Sequence, residues 1–159
     1  MNYKEEAAAL VKTLGEYIDD PSILLDSLGR CSTVIENIPF SFFYGEKEGC
    51  LFIQALVGNG HGLHTTALER LLAGNHLWAS TAGGIFGLNP EDENIYYSYR
   101  LDFPISVDPD VAPYAELLCD IMPLLVGAIE KARDTVEEEA HVSEQTAPPR
   151  ELVDPSSLA

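Results

Sequence analysis

The stretch ERLLAGNHLWASTAGGIFGLNPEDENIYYSYRLDF, Glu69–Phe103, decides the fold. It opens as a helix. Thr66 and Glu69 have the spacing of a capping box, and apolar residues recur at three and four positions as far as about Ser80. After Gly83-Gly84 the period changes. IFGL reads as a strand, NPEDEN as a turn and IYYSYRLDF as a second strand. In that last strand Ile95, Tyr97, Tyr99, Leu101 and Phe103 alternate with Tyr96, Ser98, Arg100 and Asp102, the period of a sheet with one face more buried than the other. Gly74 falls inside the expected helix, where a glycine costs about 1 kcal/mol relative to alanine.

The faces of that helix suggest a reason for Gly74. Leu68, Leu72 and Ala79 share one side; Ala67, Leu71, Gly74, Asn75 and Trp78 share the adjacent one. One apolar side covers a sheet. A second apolar side, with a tryptophan and small residues, suits a helix lying between two bodies. The expectation is a two-fold dimer with Ala67, Leu71, Gly74, Asn75 and Trp78 at the interface.

Working outward toward the N-terminus, residues 3–19 read as a helix. Tyr3, Ala7, Leu10, Val11, Leu14, Tyr17 and Ile18 form its stripe, and Asp19-Asp20-Pro21 stops it. Ile23, Leu24, Leu25 and Leu28 form a short apolar connector. RCSTVIENI, FSFFYG and CLFIQALVG then read as three strands, the first two meeting at Pro39 and the last two at the turn EKEG. Connections this short favour an antiparallel meander. In the second strand Phe40, Phe42 and Tyr44 share a face. Toward the C-terminus, Val111 to Glu138 is helical. Pro113 is tolerable in its first turn, while Pro123 predicts a kink or a division. The order α-βββ-α-ββ-α makes an α+β domain over residues 1–139, with a five-stranded antiparallel sheet and three helices. Residues 140–159, with three prolines and little periodicity, read as a disordered acidic tail.

Nine Lys and Arg stand against 26 Asp and Glu, a net charge of -17. Such a surface repels nucleic acid and anionic membranes and favours a cationic or apolar polypeptide partner. No apolar run reaches the roughly 18–20 residues of a membrane span. The N-terminus lacks the pattern of a signal peptide. Cys31, Cys50 and Cys119 are odd in number and far apart, as in a cytoplasmic protein with reduced thiols.

No motif points to a cofactor. The loop GNGHGLH has Leu63 where a dinucleotide fingerprint needs glycine. His61 and His64, with His76 nearby in sequence, are the remote candidates for a small metal-dependent enzyme. Their loop fixes no ligand spacing, and solvated histidines are the simpler reading. Cys50 and Cys119 lie in apolar segments, and Glu91-Asp92-Glu93 reads as a solvated turn. The expectation is a protein that is not an enzyme and binds no metal.

Leu71, Leu72, Asn75, Ala82-Gly83-Gly84, Gly87-Leu88-Asn89-Pro90 and Arg100-Leu101, in this element order, resemble the class I type III secretion chaperones, the Tir-chaperone (CesT/SycE-like) family. The resemblance runs over roughly residues 3–138. It implies a homodimer in the bacterial cytoplasm, joined largely through the second helix. It also implies that the N-terminal chaperone-binding segment of one or more secreted effectors lies along it in extended, non-globular form, for delivery to the secretion ATPase. Apolar patches on the first helix and the sheet, here Leu14, Tyr17, Ile18, Phe42 and Phe52, would receive the effector, and a sheet edge would add its strand. The chain departs from the family pattern in Pro123 and in its tail. A YbjN-like small α+β protein-binding domain, without a secretion role, has the same element order. Exposed apolar patches separate the two readings.

Overall fold

The structure, a computed structural model, describes residues 3–61, 63, 65–78, 80–105 and 116–146. Among them the order is α1 (Tyr3–Tyr17), β1 (Arg30–Ile35), β2 (Ile38–Gly45), β3 (Cys50–Asn59), α2 (Thr65–Gly74), β4 (Ile85–Leu88), β5 (Asn94–Asp102) and α3 (Leu117–Thr146). This is the expected α+β arrangement. The strands form one antiparallel sheet in the order β1-β2-β3-β5-β4.

Helix α1 buries Ala7, Leu10, Val11 and Leu14, the stripe anticipated from its spacing. It ends in a Schellman motif. Asp20 N–H donates to Gly15 C=O (2.8 Å), Asp19 N–H to Glu16 C=O (3.4 Å), and Asp19 takes the left-handed conformation usual for glycine at that position. A Cβ on Gly15 would come within 2.7 Å of the Asp20 carbonyl oxygen, so the returning chain requires a glycine there.

Strands β1 and β2 are joined at Glu36-Asn37, not at Pro39. Both turn residues have positive φ (50° and 64°), as a two-residue type I′ hairpin demands. Pro39 therefore lies inside β2. Ladder bonds alternate along an antiparallel pair, so residues 38, 40 and 42 bond to β1, while 39, 41 and 43 face β3. Pro39 has no N–H to offer there. The carbonyl of Leu56, opposite that gap, accepts instead from Nη2 of Arg133 on α3 (3.0 Å), and Nη1 donates to Asn37 C=O (3.1 Å). The register of β3 against β5 slips between Leu56 and Gly58, beside this substitution. A Cβ on Gly58 would press on Val136 of α3 at 3.1 Å.

One face of the sheet carries Phe40, Phe42, Ile53, Ala55 and Tyr97, all buried against α1 and α3 through residues such as Leu14, Leu118, Leu125 and Ile129. The opposite face carries Ser41, Phe43, Phe52, Gln54, Ser98 and Arg100 and remains half-exposed or exposed. On it Phe43 stacks on Phe52 with centroids 4.7 Å apart, and the Arg100 guanidinium lies 6.0 Å from the Phe52 centroid.

The helix expected over 66–80 is shorter. It starts at Thr65 and stops at Gly74, followed by Asn75 and a single 3₁₀ turn, His76–Trp78. Leu77 and Trp78 both have φ of 54°, which a continuing helix cannot accommodate. Gly74 thus ends a helix and does not interrupt one. A Cβ at Gly74 would make only ordinary contacts, 3.9 Å from the Ser80 Cβ and 4.0 Å from the Phe86 ring. Helix α3 runs through Pro123 without dividing, with that proline facing solvent in its second turn. It continues to Thr146, past the expected limits at Glu138 for the helix and residue 139 for the domain. The expected helix start with Pro113 and the remaining tail, 147–159, lie outside the described residues.

Candidate functional site

The five residues expected to meet an effector fall into different environments. Leu14 and Phe42 are each 1% exposed and belong to the core, so they offer nothing to a partner. Leu14 sits on the buried stripe of α1, and Phe42 on the helix-covered face of β2. Tyr17 is 68% exposed at the end of α1, Ile18 is half-buried, and Phe52 is half-buried on the opposite sheet face. Sequence reading missed Leu24 and Leu28, which are 49% and 70% exposed in the connector between α1 and β1. Their signal was present as four apolar residues in a short loop, of which only Ile23 is buried. Val34 and Phe43 extend the exposed apolar surface along β1 and β2.

Beside this connector lies the free edge of β1. The ladder places the backbone groups of Arg30, Ser32 and Val34 on the side away from β2. Those of Arg30 are bonded, its N–H to Asp26 Oδ1 (2.8 Å) and its C=O to Asp26 N–H (2.8 Å). Among the described residues those of Ser32 and Val34 have no partner. A depression of about 300 Å³, lined by Arg30, Cys31, Ser32, Ser41, Phe42 and Phe43, opens at this edge. Burial pushes the Cys31 thiol above its ordinary pKa, and Asp20 and Asp26 add to the shift against a backbone hydrogen bond from Leu24. The thiol is a small side chain beside the edge, not an activated nucleophile.

The expected dimer residues divide in the same way. Ala67 (0% exposed) and Leu71 (6%) are buried in their own chain, so the sides of α2 are exchanged relative to the expectation. The Ala67–Leu71 side covers the chain's own sheet, while Leu72 is 64% exposed. Gly74 is half-buried and lines a cleft of about 390 Å³ between α2 and α3, with Arg70, Ser80, Lys131 and Thr135. Asn75 turns its amide to β4: Nδ2 donates to Phe86 C=O (3.0 Å), and Phe86 N–H donates to Oδ1 (2.8 Å). Trp78 is 61% exposed, next to Leu77 at 76%. A smaller apolar cleft of about 170 Å³, between Leu68, Leu72, Phe86, Leu88 and Ile95, lies between α2 and β4.

The loop after α2 is held from below. Tyr97 Oη donates to Thr81 C=O (2.6 Å), and a Cβ on Gly84 would run into the Tyr97 ring. Burial drives the Tyr97 hydroxyl far above its ordinary pKa.

His61 Nδ1 contacts Glu93 Oε2 at 2.8 Å on the surface, and His64 lies outside the described residues. Among the described residues no three His, Cys, Asp or Glu side chains converge as a metal site. Burial also raises the thiol pKa values of Cys50 and Cys119, which disfavours their nucleophilic forms. No described helix is long and apolar enough to cross a membrane. What the site offers is apolar surface and unpaired backbone, the means of holding a polypeptide.

The model of the Tir chaperone protein (CesT) family matches residues 9–132. The fold is similar to that of a chain in the crystal structure of the ExsC-ExsE complex, with a TM-score of 0.69 at 15% identity over 86% of this chain and 97% of that one. It is also similar to a chain of the HopA1-SchA chaperone-effector complex, with a TM-score of 0.60 at 14% identity over 84% and 95%. A third similar chain is in the heterodimeric ExoU-SpcU complex from the type III secretion system of Pseudomonas aeruginosa, with a TM-score of 0.59 at 13% identity over 80% and 98%. No curated protein matches the chain.

Proposed function

The chain belongs to the Tir chaperone protein (CesT) family, and from that premise we propose that it is a type III secretion chaperone holding the N-terminal region of a secreted effector in extended, non-globular form. The observation that carries this reading is the open edge of β1, with Ser32 and Val34 unpaired among the described residues and exposed Leu24 and Leu28 in the connector leading to it. Two outward residues offer four backbone hydrogen bonds. At a net of about 1 kcal/mol each they give about 4 kcal/mol, a millimolar affinity on their own. The exposed side chains of Tyr17, Leu24, Leu28 and Val34 supply the remainder and the selectivity. Backbone pairing accepts many sequences, and the apolar positions choose among them.

The same reading makes the protein a homodimer of the bacterial cytoplasm that passes its effector to the secretion ATPase. Leu72, Leu77 and Trp78 form the proposed dimer patch. The left-handed backbone at Leu77 and Trp78 turns two large apolar side chains outward, and strain of this kind persists where it serves a contact. Two copies double the surface available to order a client that is costly to order. The net charge of -17 keeps the free protein soluble and attracts basic client segments.

The test is co-expression with the N-terminal regions of secreted proteins of the same host. The expected result is a soluble complex with one of them, weakened at least tenfold by Leu28→Asp with the fold unchanged. Light scattering should give a dimer. Capture of none, or capture indifferent to Leu28→Asp, contradicts the reading, and a monomer at micromolar concentration contradicts the dimer.

A further inference from the structure

We propose that the side chain of Asn75 closes the β4 edge of the sheet against a second copy of this chain, leaving β1 as the edge at which a strand can be added. That last consequence rests on the function proposed above; the closure of β4 does not.

Asn89 N–H donates to Asn94 C=O (2.9 Å), which fixes the alternation of the β4–β5 ladder. Residues 85, 87 and 89 bond to β5, so Phe86 and Leu88 direct their N–H and C=O groups away from the sheet. At Phe86 both groups are occupied by one amide, the Asn75 Nδ2 donating and the Asn75 Oδ1 accepting. A side-chain amide has the same donor and acceptor as a peptide group, so Asn75 takes the place of one residue of a neighbouring strand. It is set there by the end of α2 at Gly74 and the turn that follows. Just before β4, Gly84 N–H is taken by Thr81 C=O (2.9 Å). Only Leu88 is then left with outward groups unpaired among the described residues.

An open edge bordered by apolar side chains is a template for pairing with another copy. Ile85 and Leu88 of β4 are 52% and 51% exposed, and the apolar cleft lined by Leu68, Leu72 and Leu88 lies beside Phe86. Without the Asn75 amide, Phe86 and Leu88 would present two successive pairs of backbone groups, enough for antiparallel pairing of β4 with β4 of a second copy. Asn75 is a positioning residue of the assembly and contacts no client.

The test uses the full chain and needs no client. In the wild-type protein the Phe86 amide, bonded to Asn75 Oδ1, should exchange slowly. Asn75→Ala should speed its exchange at least tenfold when diluted to the size of the wild-type species, and at higher concentration should produce assemblies larger than that species. Adding Leu88→Pro, which removes the remaining outward donor, should reverse that growth, whereas adding Ser32→Pro on β1 should not. Unchanged Phe86 exchange in Asn75→Ala, or no growth in size, overturns the proposal. So does growth that Ser32→Pro reverses, since the contact would then lie at β1. If Asn75→Ala does not fold, Asn75→Asp decides: it keeps the acceptor for Phe86 N–H and should keep that amide protected, and rapid exchange there contradicts the assignment. Failure of client capture by a chain that passes these tests would count against the proposed function and leave the closure standing.

Discussion

The two edges of this sheet begin alike and end differently. Both are antiparallel strands with apolar residues exposed beside them. At β4 the side chain of Asn75 occupies the outward groups of Phe86, and Thr81 takes Gly84 N–H. At β1 the cap formed by Asp26 stops at Arg30, and Ser32 and Val34 stay open. Closing an edge needs one amide in the right place; leaving one open invites aggregation. The net charge of -17 adds a repulsion between copies at either edge, which a basic client does not meet.

The sharpest way to break the comparison is at β1. Ser32→Pro removes an outward N–H without touching the backbone ladder to β2, since the backbone groups of Ser32 face away from that strand; the bond to β2 it gives up is the exposed one between Ser32 Oγ and Ser41 Oγ (3.2 Å). The fold should hold and client capture should fall at least tenfold in a co-purification assay. Equal capture would mean that the client does not pair with this edge.

Next in size is Arg133→Ala. Arg133 fills the gap left by Pro39 and ties α3 to the hairpin that carries β1. Removing it leaves the carbonyls of Asn37 and Leu56 without these donors, and denaturant unfolding should show a loss of about 2–3 kcal/mol. If the proposed dimer forms through the patch that includes Trp78, Trp78→Ala should weaken it by about 1–2 kcal/mol, read as a rise in the dimer dissociation constant, with unfolding of the monomer unaltered.

The smallest effect belongs to the loop before β4. Tyr97→Phe loses the bond to Thr81 C=O, about 1 kcal/mol in thermal unfolding. It also changes the pH dependence. The folded-state pKa of Tyr97 is raised, so its contribution is fully present below the ordinary tyrosine pKa of 10.0. Above that pH the unfolded chain ionises first and stability falls. Tyr97→Phe should flatten this alkaline decline, as a series of melts at rising pH would register.

The element order was legible because period-two and helical spacings alternate cleanly along the chain. Tyr97 and Ile95 against Tyr96 and Ser98 gave β5, and Ala7, Leu10, Val11 and Leu14 gave α1. The sides of α2 were not legible. A spacing pattern groups Ala67 with Leu71 and Leu68 with Leu72, but both groups are apolar, and only tertiary packing decides which meets the sheet. The helix end at Gly74 was hidden as well, because Leu77 and Trp78 have no local preference for left-handed backbone. In β2, aromatic residues on both faces concealed that Phe42 is core and Phe43 exposed. Pro39 looked like a boundary because its compensating donor, Arg133, is remote in sequence. The open edge at β1 is a property of strand order, and no segment read alone contains it.

The most direct measurement is residue-resolved amide exchange of the full chain, free and in complex with the secreted N-terminal segment that co-purifies with it. Slowed exchange at Ser32 and Val34 on binding, with Phe86 protected in both states, is the predicted result. Protection appearing along β4 while Ser32 and Val34 exchange as before would contradict the account.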